Sequence, residues 1–207
     1  MSENVCERMR KFLDDIRKAL RISEEKNIEV GFAICETKDG EWIRGEMFEA
    51  GLPEITEEQR KLMIKMFGKV IYPPVVMKIK CPEGTRLVGA FHTHPGGKKS
   101  FGRLTFSSQD MWSLVDGMLE RLGADFACVG YMTKRNKFSV DCLEHDRLSK
   151  HLDTLMEISK AEEEVDLYRD AKPFTPEFEK LSEAVVNSIL KREEIIKKAG
   201  CRFEERL

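Results

Sequence analysis

Several things are missing from this sequence, and each absence removes a class of protein. No apolar run approaches the roughly 20 residues that span a bilayer. The opening stretch MSENVCERMRKFLDD also lacks the apolar centre of a signal peptide. No membrane partner is therefore expected, and the chain is expected in the cytoplasm. There is no C-x-x-C pair: Cys6, Cys35, Cys81, Cys128, Cys142 and Cys201 lie far apart. That argues against a cysteine zinc knuckle and predicts mostly reduced thiols in or beside the core, with disulfides left open for a hyperthermophilic source. Neither charge sign is in excess, since 35 Lys and Arg face 37 Asp and Glu. Nothing in that balance calls for nucleic acid as a ligand. Internal repeats and low-complexity tracts are absent, and histidine is scarce, with four in the chain.

What is present suits one α/β domain with an appendage. At 207 residues the chain can bury a core without metal or disulfides. Val5, Met9, Leu13, Ile16 and Leu20 share one helical face, so residues 3–25 should form an amphipathic helix. Two β-rich runs, IEVGFAIC and EWIRGEMFEAG, flank a turn at Lys38-Asp39-Gly40. Thr56 and Gln59 form a capping-box pattern for a helix that should stop near Gly68. Strands are predicted at VVMKIK and RLVGAFH, a helix over Met111–Leu122, and a second hairpin at FACVGYMT and KFSVDCL turning over Lys134–Asn136. From Arg147 onward the pattern is entirely helical, the last helix opening at Thr175 and Pro176 and closing before Gly200.

Two of the four histidines, His92 and His94, stand one residue apart at the end of an apolar strand, followed by Pro95. Residues i and i+2 of a strand share a face, so both imidazoles can point at one spot, which is half of a metal site. Catalytic zinc commonly takes three protein ligands and leaves a fourth position to water. Asp110 is the candidate third ligand, because the segment 95–106 can fold back to set the next helix beside the strand end. Ser107-x-x-Asp110 also reads as a plain helix cap, and both readings hold together, since a capped helix start is a rigid mount.

His92-Thr93-His94-Pro95 followed by Ser107-Ser108-Gln109-Asp110 resembles the H-x-H-P…S-x-x-D signature of the JAMM (MPN+) zinc metalloproteases, a family that includes deubiquitinating isopeptidases. The resemblance runs from about residue 27 to 143 and includes a glutamate on the first strand, here Glu29 in NIEVGFAIC. It implies an MPN (JAB)-type curved mixed sheet flanked by helices. It implies zinc on His92, His94 and Asp110, Glu29 as general acid and base, and Ser107 as an oxyanion donor. The expected organisation is a catalytic domain over residues 1–146 and a helical C-terminal extension over 147–207. The expected activity is hydrolysis of an amide bond at the C-terminal tail of a ubiquitin-like protein, which could add as a strand at the sheet edge. A carboxylate at Glu29 can move the proton that such hydrolysis requires, and an oxyanion donor such as Ser107 is commonly worth about 2.7 to 4 kcal/mol.

The chain departs from the family in the twelve residues 95–106, longer than the usual spacing. Lys98, Lys99, Phe101 and Arg103 in this loop are candidate substrate contacts. A nonenzymatic MPN scaffold would normally have lost a ligand, and a RadC-like nucleic-acid role would favour a basic face. The H-x-E and P-C-x-x-C of nucleoside deaminases are missing. Cys142 and His145 read as a solvated strand end, His151 as exposed, Trp112 and Met118 as core, and Glu162–Glu164 as a solvated face. The stripe Phe178, Leu181, Val185 and Ile189 must cover the α/β domain, a neighbouring helix, or a second chain in a homodimer or with another partner.

Overall fold

The computed structural model describes residues 3–51, 55–71, 79–96, 105–134 and 136–207. The N-terminal apolar stripe forms α1 (Val5–Met9), a 3-10 turn (Arg10–Phe12) and α2 (Leu13–Lys26). Asn4 and Glu7 make a capping box, and Asn27, at φ 52°, ends α2 in the left-handed conformation that asparagine tolerates. The first hairpin follows as β1 (Ile28–Glu36) and β2 (Trp42–Gly51). Thr56 and Gln59 cap α3 (Glu57–Phe67), which stops at Gly68. Then come β3 (Arg86–His94), α4 (Ser108–Asp116), α5 (Met118–Arg121), β4 (Phe126–Lys134) and β5 (Lys137–Glu144). The chain closes with α6 (His145–Leu148), α7 (Leu152–Tyr168), α8 (Pro176–Ala199) and β6 (Gly200–Arg206).

Among the described residues, six strands join one mixed sheet in the order β2-β1-β3-β4-β5-β6, in which only the β3–β4 pair is parallel; the crossover between these two carries α4 and α5. Helices cover both faces. Met9, Phe12, Ile16 and Leu20 of the N-terminal helices pack on Phe32, Phe91, Phe126 and Phe138 to form a first core. Met111, Leu114, Leu155, Ile158, Ile195 and Ile196 pack on Ala90, Val129 and Leu143 to form a second.

Several expectations need correction. The chain after Arg147 is not entirely helical, because β6 returns to the sheet and pairs along β5. Gly200 follows the end of α8 as expected, its N–H still bonding the Ile196 carbonyl, but it is extended and opens β6; a Cβ there would lie 1.9 Å from the Cys142 carbonyl oxygen, so the glycine also permits a close strand approach. The predicted helix Met111–Leu122 begins three residues earlier, at the Ser107 cap, and breaks at Gly117. The cysteines are paired, not reduced: Cys6–Cys201, Cys35–Cys81 and Cys128–Cys142 form three disulfides. Cys142 is thus unavailable to a metal, and His145 instead bonds Asp146. Finally, Met118 is 40% exposed rather than core. Trp112 is partly buried against the second core and donates to Ser159 Oγ at 3.0 Å.

Residues 75–78 of the strand predicted at VVMKIK lie outside the described residues, and Ile79 and Lys80 are not in a strand. The α8 stripe is rotated from its predicted phase. Leu181, Ala184, Ser188, Arg192, Ile195 and Ala199 are buried, while Ile189 is 43% exposed. The covered surface is the second core and α7. Among the described residues, no helix is long and apolar enough to cross a membrane.

Candidate metal centre

The site lies where β3 ends between β1 and β4. Alternation along β3 sends Phe91 into the first core and Ala90 into the second, so His92 and His94 point to the α4 side. Pairing sets Gly31 of β1 opposite His92, and the same antiparallel register carries Glu29 toward His94. A Cβ at Gly31 would lie 2.4 Å from the Phe91 carbonyl oxygen and collide with Phe48, so glycine permits this close pairing. β1 is an interior strand, and the Glu29 side chain on it is largely covered.

His92 Nε2 lies 3.1 Å from His94 Nε2. Asp110 approaches both rings, with Oδ1 3.3 Å from His92 Nε2 and Oδ2 3.4 Å from His94 Nε2. Glu29 Oε1 stands 4.0 Å from His94 Nε2. The backbone carbonyl of Thr105 can only accept, so at 2.9 Å it fixes His94 Nδ1 as a donor. In the neutral ring this leaves the Nε2 lone pair facing Asp110 and His92. His92, His94 and Asp110 form a cluster that could hold a metal ion.

Charge balance in the cluster follows from this packing. Burial alone would lower the His94 pKa, but the Asp110 and Glu29 carboxylates and the Thr105 carbonyl outweigh it and push the imidazole up to about 9. Asp110 is raised by burial and lowered more strongly by the two imidazoles, ending well below the usual carboxylate range. Burial pushes Glu29 up, partly opposed by His92 and His94.

Ser107 is the N-cap of α4, and Asp110 is its capping-box partner. Its hydroxyl donates to Asp110 Oδ2 at 2.7 Å, its backbone N–H donates to the same oxygen at 2.8 Å, and Asp110 N–H returns a bond to Ser107 Oγ at 3.2 Å. In this arrangement the serine orients the carboxylate. The structure therefore gathers Glu29, His92, His94, Ser107 and Asp110 in one place. Lys98, Lys99, Phe101 and Arg103 lie outside the described residues.

Residues to which the sequence assigned no part in the site bond the segment that leads into α4. Thr105 gives its hydroxyl hydrogen to buried Asp141, which also accepts from Tyr131 at 3.0 Å and from the Arg202 guanidinium. Burial and the Asp141 charge hold the Tyr131 phenol above its usual range, and the bond to Asp141 raises Arg202. Glu162 is not part of a solvated face: it accepts from Ser108 N–H at 3.0 Å and Ser108 Oγ at 2.6 Å and pairs with Arg192. Its neighbour Glu163 does face solvent and pairs with Lys69. The available signal was Ser188 and Arg192 interrupting an otherwise apolar stripe of α8. Compared with protein-family models and with curated proteins, the chain matches none.

Proposed function

We propose that this protein is a zinc-dependent peptidase of the JAMM type, with an MPN-type fold, that hydrolyses an amide bond at the C-terminal tail of a ubiquitin-like modifier. The observation carrying this reading is the set of spacings among the donors. Tetrahedral zinc with ligands at about 2.0–2.1 Å has ligand–ligand edges of about 3.3 Å. His92 Nε2 and His94 Nε2 lie 3.1 Å apart, and Asp110 brings Oδ1 to 3.3 Å from the first and Oδ2 to 3.4 Å from the second, so the three side chains converge at about that spacing. Two imidazoles, which give up any Nε2 proton on binding, and a carboxylate also match the nitrogen and oxygen preference of zinc.

Zinc bound there would polarise the scissile carbonyl and acidify water. The chain's own contribution is positional. Glu29, beside the cluster at 4.0 Å from His94 Nε2, takes the proton from the attacking water and delivers it to the leaving amine. Ser107 holds Asp110 in place, and by turning its hydroxyl away from that carboxylate it can donate to the developing alkoxide. The His-x-His-Pro and Ser-x-x-Asp motifs support the family reading, and the mixed sheet with helices on both faces is compatible with it.

The test is incubation of the purified protein with a panel of ubiquitin-like conjugates and linear fusions, with and without chelator. Cleavage at the modifier's C-terminus, abolished by chelator and restored by zinc, is the expected result. A zinc-replete protein that cleaves no member of the panel would favour the nonenzymatic scaffold.

A further inference from the structure

We infer that Asp141, Glu162 and Arg192 are positioning residues of the metal centre: they clamp the segment Thr105–Ser108 from behind and so set the metal affinity without touching the metal. The inference rests on the metal-centre reading above and extends it to residues far away in sequence.

The segment joining the histidine strand to the aspartate helix carries supports for two of the ligands. Thr105 supplies the carbonyl that orients His94, and Ser107 caps the helix that bears Asp110. Neither is held by regular secondary structure, because the segment precedes the first turn of α4. Its restraints come from elsewhere. The Thr105 hydroxyl bonds Asp141 of β5, which is fully buried. The Phe106 carbonyl accepts from Arg192 Nε of α8 at 2.8 Å, and Arg192 is 2% exposed. The Ser108 N–H and hydroxyl both bond Glu162 of α7. Arg192 also pairs with Glu162 and bonds Ser188, so two anchors are one connected unit.

Burying Asp141 and Arg192, with Glu162 largely covered beside them, is costly, and apolar residues of similar volume would often serve stability as well or better. Their bonds converge on Thr105, Phe106 and Ser108, just ahead of Asp110. A site whose ligands are held in place before the metal arrives loses less entropy on binding, and outer partners of metal ligands are commonly worth 10–100-fold in affinity. The anchors on α7 and α8 give the C-terminal helices a role in the site that their apolar stripe does not reveal.

The test titrates metal-free protein with Co²⁺, read by its visible absorption band, and with Zn²⁺ by competition against a chelating dye. The variants are Arg192→Met, Thr105→Val and Ser108→Ala, with Glu163→Gln as an exposed control. Arg192→Met is expected to raise the Kd by about 10–100-fold, and each hydroxyl deletion by up to about tenfold. The Co²⁺ band should shift in all three, while Glu163→Gln should match the parent. Where Arg192→Met does not fold, the two hydroxyl variants decide. A lower Tm with unchanged Kd and unchanged Co²⁺ spectrum would make these residues structural only and overturn the inference. A parent that binds neither ion removes the metal centre itself, whereas a parent that binds while all variants bind identically removes only the clamp.

Discussion

The two faces of the sheet are built from different chemistry. On the face covered by α1 and α2, buried aromatic and aliphatic side chains meet, and two disulfides, Cys6–Cys201 and Cys128–Cys142, lie within or against that core. The face covered by α4, α7 and α8 also has an apolar core, yet the buried charged residues Asp141 and Arg192 and the histidine cluster belong to it. One face gains stability through apolar burial and cross-links, which have no preferred ligand. The other surrenders some of that gain to hold polar groups in fixed positions, as a site must. Substitutions on the two faces should accordingly affect different observables.

The largest effect expected is on hydrolysis. Glu29→Gln keeps the size of the side chain but cannot shuttle a proton, so turnover should fall by about 10²–10⁴-fold while bound metal is retained. Single-turnover cleavage beside metal analysis checks this; loss of metal would instead make Glu29 a ligand, and full activity would remove it from the mechanism. Next is the cross-link between the chain ends. Cys6–Cys201 closes a loop of 195 residues, so the paired Cys6→Ala/Cys201→Ala variant should lose about 5 kcal/mol in the chain-entropy description. Denaturant unfolding measures that loss. Metal affinity should change much less, since β6 stays hydrogen-bonded along β5.

A smaller effect belongs to the apolar face alone. Ile16→Ala in α2 removes a fully buried side chain and should cost about 2–5 kcal/mol with no change in metal affinity. A matching loss of affinity would mean that the faces are coupled and would undo the comparison. Smallest is Glu163→Gln, which breaks an exposed pair with Lys69 and should shift stability by no more than about 1 kcal/mol.

How much of this could be read in the sequence depended on the range of each interaction. The histidine pair was legible because strand alternation is a local rule, and Ser107 with Asp110 because a capping box spans four residues. Glu29 was less legible, since only the β1–β3 register brings it to His94. β6 was missed because a glycine after a helix usually stops the helix, and only its close approach to Cys142 shows that Gly200 serves a strand. The disulfides were missed because cysteines 14, 46 and 195 residues apart reveal no pairing until the sheet is assembled. Glu162 and Glu163 show the limit most directly. They are adjacent acids on one helix, yet one is buried against Ser108 and Arg192 while the other is solvated beside Lys69. Nothing local distinguishes them, because their partners lie on other elements.

The central claim is that three side chains hold one metal ion, and zinc stoichiometry after equilibrium dialysis tests it most directly. The parent and Glu29→Gln should each retain about one zinc per chain, as expected for a three-ligand site with an open position, and His94→Ala should retain little. Undiminished zinc in His94→Ala would place the metal elsewhere and contradict the account.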